Sequence, residues 1–334
     1  MNKLEEIGFY TLSDQRAATT SITSQMKRCE LIILEKCNFR CGYCRGLKDE
    51  IYGDRKIKQL SLEEIKQNID YWCEGQPLEN IRFSGGEPTL HKNIVEIISY
   101  AKEKGIKRIA ISTNGSNKIE LYKKLIDVGC NDFSISLDGC CSGDVDKMAG
   151  VTGVFETIVN NIREISKSTY VTVGVVLTPE NVQSCIDTIK FADSLGISDI
   201  RIISAAQWNQ PIPDLDKIPQ EILDKYPILK YRVNHFSKGI NVRGIQTTDN
   251  HRCGLMLDDS IIAGEYVFKC IIHMREGGQP VCKVSKDMRQ KRFEYMMNSD
   301  THEDPICKKN CLDVCRDFNN IFDKLNPLGI ENII

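Results

Sequence analysis

The chain has 334 residues, 41% hydrophobic and 27% charged, with 44 basic against 46 acidic side chains and a net charge of -2. That balance excludes a nucleic-acid partner held by charge. The apolar runs are strand-sized, short of the ~20 residues a membrane span requires.

The opening Met1-Asn-Lys-Leu-Glu-Glu-Ile-Gly8 lacks the apolar core of a signal peptide, so a cytoplasmic location is expected. Fifteen cysteines in a reducing compartment point to metal rather than disulfides. From about residue 29 to 204, short β-rich runs alternate with amphipathic helical ones. The predicted strands are Glu30–Leu34, Ile81–Ser84, Arg108–Ser112, Asp132–Leu137, Tyr170–Leu177 and Asp199–Ile203, mostly apolar on both faces as parallel strands under helices should be.

Between them, Ser61-Leu-Glu-Glu64 reads as a capping box before a face of Leu62, Ile65, Ile69 and Trp72. His91 to Lys104 turns Ile94, Ile97, Ile98 and Ala101 inward, places His91 in the first turn, and stops at Gly105. Phe155, Ile158, Ile162 and Ile165 define another face, and Val182, Ile186 and Ile189 a further one closing at Gly196. Such alternation implies a parallel sheet, and six strands are too few for a closed eight-stranded barrel. The predicted fold is α/β, an open partial (βα)6 TIM-like barrel over 29–208, preceded by an extension at 1–28. Pro211, Pro213, Pro219 and Pro227 mark a connector over 209–250, and a small cysteine-rich α+β domain follows over 251–334.

Each polar motif follows a strand. Cys37-Asn-Phe-Arg-Cys41-Gly-Tyr-Cys44 places three thiols behind the first. Three thiolates suit a cubane iron–sulfur cluster with one iron left open, since four normally close one; a zinc site is the alternative. Ser84-Gly-Gly-Glu-Pro88 follows the second strand. Gly85 and Gly86 would let backbone approach a ligand, and Glu87 offers a carboxylate to a cationic amine. Ser112-Thr-Asn-Gly115 and Ser136-Leu-Asp-Gly139 follow the third and fourth; by themselves they are also ordinary turns.

Taken in this order across about residues 28–205, these motifs resemble the radical S-adenosylmethionine (radical SAM) superfamily. The resemblance implies a [4Fe–4S] cluster on Cys37, Cys41 and Cys44, with S-adenosylmethionine chelating the open iron through its amino and carboxylate groups. It implies that residues of the Gly85-Gly86-Glu87 segment hold the methionine amine, with Ser84 a further cofactor-binding candidate, and that Tyr43 lies near the adenine. Ser112, Asn114, Ser136 and Asp138 become candidates for ribose and carboxylate contacts. The reduced cluster would cleave the sulfonium to a 5′-deoxyadenosyl radical, which takes hydrogen from an unactivated C–H. A one-electron reductant such as flavodoxin or ferredoxin is then required.

The late cysteines form a second group. Cys253 and Cys270 bracket a predicted hairpin, Ser260–Phe268, with its turn at Ala263-Gly264. Cys307, Cys311 and Cys315 follow a helical stretch near Arg289 to Met297. This resembles the auxiliary-cluster extension called Twitch, related to SPASM, and implies a second [4Fe–4S] cluster. The gaps of three and three depart from the closer Cys-x-x-Cys of that extension. Five cysteines compete for four places, with Cys282 a sixth and a zinc knuckle the alternative.

Cys29, Cys73, Cys130, Cys140, Cys141 and Cys185 read as small buried hydrophobes, although the Cys140-Cys141 pair near the rim could donate hydrogen to a radical. His91, His235, His251, His273 and His302 show no metal-ligand pairing. The expected function is oxidation or rearrangement of a small-molecule or peptide substrate, with peptide cross-linking or epimerisation as the second reading. A non-catalytic iron–sulfur carrier or sensor, or a zinc-held binding module, are readings of another class. The short stretch before the first strand favours a small molecule over a peptide. The ending Glu331-Asn-Ile-Ile334, without a Gly-Gly tail, argues against a molybdopterin-precursor synthase. Residues 1–28 could fold over the barrel mouth, and Gln207-Trp-Asn209 is a candidate for the substrate side.

Overall fold

The computed structural model describes residues 14–45 and 59–325. The chain ending just discussed lies outside the described residues. Six strands run in chain order: β1 Arg28–Leu34, β2 Asn80–Gly85, β3 Arg108–Thr113, β4 Asp132–Ser136, β5 Tyr170–Leu177 and β6 Asp199–Ser204. Each pairs in parallel with the next. The partial (βα)6 barrel read from the sequence is thus the observed core.

Helix α1 is Asp14–Thr19. The crossovers carry α2 Leu62–Trp72, α3 Ile94–Glu103, α4 Ile119–Asp127, α5 Ser142–Ala149, α6 Phe155–Ser166 and α7 Cys185–Asp193. Their apolar faces and the strands share one core that includes Leu31, Ile33, Phe83, Ile111, Phe133, Ile162 and Ile200. The capping box forms: the Ser61 hydroxyl accepts from Glu64 N at 3.2 Å, and Ser61 N donates to the Glu64 carboxylate at 2.7 Å.

Helix α3 starts later than the sequence suggests. Buried His91 caps a short 3-10 turn, Pro88–Leu90, and bonds the Leu60 carbonyl through Nε2 at 2.9 Å. The proline at position 88 favours that turn before the α-helix can begin.

The segment read as a connector does more than connect. It holds α8 Gln220–Lys225, capped by Pro219, and α9 Pro227–Ser237, which starts on a proline. Buried Ile228, Leu229 and Val233 belong to α9. Ile228 N donates to the Asp199 carboxylate at 3.1 Å, fixing α9 to β6.

The cysteine-rich region is not a separate layer. Strand β7, Asp259–Ala263, adds to β1 in parallel, and β8 Tyr266–Phe268 and β9 Cys282–Lys283 continue antiparallel. The result is one nine-stranded sheet ordered β6-β5-β4-β3-β2-β1-β7-β8-β9. The hairpin turn falls at Gly264-Glu265, because Ala263 pairs with Tyr266 and Gly264 takes φ +59°. Helices α10 Ile271–Arg275, α11 Met288–Met297, α12 Pro305–Asn310 and α13 Asp313–Leu325 complete this part.

The described part of the N-terminal extension packs on this region, away from the barrel mouth. Ala17 joins Leu255, Met256, Phe318 and Phe322 in a second small core, and Arg16 pairs with buried Asp258. Fully buried Arg292 on α11 donates to the carbonyls of Met256, Phe268 and Asp259, stitching the small core to the sheet.

Candidate active site

The C-terminal ends of the barrel strands open on a cavity of about 460 Å³. Cys37, Cys41, Cys44 and Tyr43 line it, together with Gly85 and Gly86 at the end of β2 and Ser112 near the end of β3. Six residues carry the loop from β1 to Cys41, and three contacts shape it. Phe39 is buried, Arg40 N donates to the Ala149 carbonyl at 2.8 Å, and Cys44 N donates to the Cys41 carbonyl at 2.9 Å. Phe39 N approaches the Cys37 sulfur at 3.4 Å, and the Asn114 amide lies 4.0 Å from it. Such donors suit a thiolate that ligates metal. As free thiols these sulfurs are poor acids: burial pushes Cys41 up to about 12 and raises Cys37 as well. Metal binding is the chemistry that would deprotonate them.

The glycine pair serves packing. A Cβ on Gly85 would lie 2.1 Å from the Leu34 carbonyl oxygen, and φ there is +134°. A Cβ on Gly86 would lie 2.3 Å from both the Glu35 and Lys36 oxygens. Gly86 N donates to Leu34 O at 2.8 Å and Glu87 N to Lys36 O at 2.9 Å. The segment therefore clamps the backbone that leads into Cys37.

Glu87 is buried and lies off the cavity. Its carboxylate accepts from Thr89 N (3.0 Å), the Thr89 and Thr113 hydroxyls (both 2.7 Å) and Asn114 N (2.7 Å). It ties the β2 and β3 loops together instead of reaching an amine. Glu87→Gln places an amide donor against one of these donors and should lower stability by ~1–3 kcal/mol; urea unfolding of the reconstituted protein measures this.

Asp138 also sits behind the wall. Burial pushes its carboxyl up to about 6, while it accepts from the Tyr43 hydroxyl at 2.5 Å and Val176 N at 2.7 Å. Gln207 donates to the Tyr43 carbonyl at 3.0 Å and does line the cavity, as expected of that segment. Ser84 bonds Glu30 at 2.6 Å, Asn114 bonds Asn38 at 2.8 Å, and Ser136 is exposed; none of the three lines the cavity. Cys140 and Cys141, with sulfurs 3.4 Å apart, are also off it.

Sequence reading missed the cavity's charge. Arg28 meets Asp259 at 2.6 Å and Glu30 at 2.9 Å, Arg82 meets Asp132 at 3.3 Å, and Arg232 pairs with Asp313. Arg201 and Arg243 line the same space. An arginine inside an apolar strand, as in Ile200-Arg201-Ile202, was the available signal.

A second, smaller pocket gathers Cys253, Cys270, Cys307, Cys311 and Cys315. Cys282 lies apart on β9. Cys253 follows the connector, Cys270 caps α10, Cys307 is on α12, Cys311 ends α12 and Cys315 is on α13. Lys269 donates to the Cys307 sulfur at 3.0 Å and to Asp304 at 3.3 Å, and Asn319 to the Cys253 sulfur at 3.6 Å. Burial alone would lower the Lys269 ammonium, but the Cys307 sulfur and its neighbours hold it well above the usual range. Cys315, Leu312, Leu255 and Ile272 line both pockets.

Residues 31–192 match the family model described as the Radical SAM superfamily. The chain carries a radical SAM domain. A domain of this kind implies a [4Fe–4S] cluster and S-adenosylmethionine as cofactors and supports reductive cleavage of the latter. The radical SAM chain is 27% identical over 233 residues to a probable GTP 3′,8-cyclase of Sulfurisphaera tokodaii, covering 64% of this chain and 71% of that protein. It is 39% identical over 129 residues to an Fe-coproporphyrin III synthase of Methanosarcina barkeri, covering 38% of this chain and 31% of that protein. A solved structure of native anSMEcpe with bound AdoMet shares the fold, with TM-score 0.55 and 13% identity over 92% of this chain and 98% of that one. Among the described residues, no helix of the radical SAM chain is long and apolar enough to cross a membrane.

Proposed function

We propose that this radical SAM enzyme oxidises or rearranges a small molecule held in the 460 Å³ cavity, with an auxiliary [4Fe–4S] cluster bound by four of the five late cysteines. The observation that carries this is the wall common to the two cysteine sets: Cys315 faces both spaces. A second cluster there would lie beside the substrate, where it can take up an electron or bind substrate.

Within this reading the chain's own groups have distinct tasks. Cys37, Cys41 and Cys44 hold the first cluster, which supplies one electron to the sulfonium when bound. The backbone at Gly85–Gly86 receives the methionine amine, Ser112 meets carboxylate or ribose, and Tyr43 flanks the adenine. Asp138 is a positioning residue that acts through the Tyr43 hydroxyl, and Ser84, Glu87 and Asn114 shape the surrounding loops; Ser136 lies at the rim. The exposed Cys44 edge is where a flavodoxin or ferredoxin would deliver its electron.

Anaerobic reconstitution tests both clusters. About eight iron and eight sulfide per chain are expected, from two cubanes, with 5′-deoxyadenosine formed on dithionite addition. A Cys37→Ala, Cys41→Ala, Cys44→Ala protein should retain about four irons and make no 5′-deoxyadenosine. A colourless zinc protein refutes both clusters, and iron without 5′-deoxyadenosine leaves an electron carrier.

A further inference from the structure

Two arginines of the cavity lack the partner that their neighbours have. Arg201 on β6 donates through Nη2 to the Ser134 hydroxyl at 3.3 Å. Arg243, only 5% exposed, donates through Nε to the Ser204 carbonyl at 3.4 Å, while its buried Nη1 meets no acceptor. Among the described residues neither forms an ion pair. Keeping a guanidinium out of water without a direct ion pair is unfavourable, and here like charges add to the cost. Burial first, then Arg82, Arg232 and Arg275, push Arg201 down to about 10. Burial, then Arg232 and Arg275, do the same to Arg243. Both remain cations at neutral pH. Glu30 and Asp313 offset this only in part, and neither carboxylate is in direct contact with these two arginines. A charged guanidinium with no direct ion pair in a cavity is suited to a carboxylate or phosphate, which it grips through paired N–H donors.

The location separates this pair from the first cluster. Arg201 reaches from β6 to Ser134 on β4, and Arg243 is tethered to the Ser204 carbonyl at the end of β6. The Arg243 backbone bridges to Leu312, and Gly244 N donates to the Cys311 carbonyl at 2.9 Å, so Arg243 belongs to the wall shared with the second pocket. Gly85 and Gly86 instead pack against the backbone of Leu34–Lys36.

We propose that the substrate is an anion whose carboxylate or phosphate docks between Arg201 and Arg243, beside the second cysteine set. This rests on the radical SAM reading of the cavity.

The test uses the reconstituted holoprotein and simple probes, pyrophosphate and succinate, titrated by calorimetry with S-adenosylmethionine titrated in parallel. At least one probe should bind the natural protein, and the tighter one names the group. Arg201→Gln and Arg243→Gln should each weaken that probe by roughly tenfold or more, and by far more than they weaken S-adenosylmethionine. Iron content and melting temperature identify a misfolded variant; Arg201→Lys and Arg243→Lys, which keep the charge, then take its place and should lose less than the glutamine forms. No probe binding, probe binding indifferent to the substitutions, or an equal loss of S-adenosylmethionine affinity overturns the proposal. The last result gives the arginines to the cofactor's carboxylate. Absence of 5′-deoxyadenosine from the natural protein would sink the radical reading without touching the anion measurement.

Discussion

A Gly86→Ala protein is expected to carry about four irons instead of about eight, and to release no 5′-deoxyadenosine. The added methyl would meet two backbone oxygens, those of Glu35 and Lys36, at 2.3 Å. Neither oxygen has a rotamer to move into, so the strand crossing must open and lose the bonds from Gly86 N to Leu34 O and from Glu87 N to Lys36 O. Cys37 follows Lys36 directly, so the displacement reaches the first sulfur. Overpacking of this kind costs ~1–3 kcal/mol even where side chains can yield. Gly143→Ala is the matched control: nothing lies within 4 Å of its Cβ, and it sits within α5. Iron analysis and product release decide the matter; a Gly86→Ala protein with natural iron content would show that the crossing is not a clamp.

Arg232→Met should destabilise the protein by ~3–5 kcal/mol at neutral pH, because it strands a buried carboxylate. Arg232 and Asp313 are 2% and 0% exposed, and their pairing joins α9 on the barrel to α13, which carries Cys315. Burial by itself would raise the Asp313 carboxyl. The His235 bond at 3.1 Å and the Arg232 charge outweigh it and hold Asp313 below the usual range. A carboxyl depressed in this way stabilises the native state above its unfolded value of ~3.9, and the contribution is lost as pH falls through the native value. The gap between natural and variant protein should therefore narrow in acid. Denaturant unfolding at pH 7 and at successive pH values below ~3.9 measures it; a gap that never narrows would remove Asp313 from the account.

The sequence carried the barrel plainly because its signals were local. Doubly apolar strands such as Tyr170–Leu177, the Ser61–Glu64 box and the three close cysteines all lie within a dozen residues. What escaped depends on partners distant in sequence. Gly85 and Gly86 line the cavity as expected, but their packing role escaped because the backbone they press on is some fifty residues earlier. Glu87 looked available because two of its four donors, the Thr113 hydroxyl and Asn114 N, come from the β3 loop. Arg292 is fully buried on the carbonyls of Met256, Phe268 and Asp259, all distant in sequence. The five late cysteines were grouped correctly in space, while the sheet running through that region was hidden, since β7 looks like half of a local hairpin.

The placement of β7 beside β1 bears on how the chain is made. Arg28 and Asp259, the first residues of that pairing, are 231 positions apart. At ~5–20 residues per second of ribosomal synthesis, roughly 10–50 s separate their emergence. Throughout that interval the strand leading to the first three thiols offers an unsatisfied hydrogen-bonding edge to any other nascent chain. A chaperone or slow expression should raise the yield of this protein more than its modest size suggests, and iron loading should follow release from the ribosome.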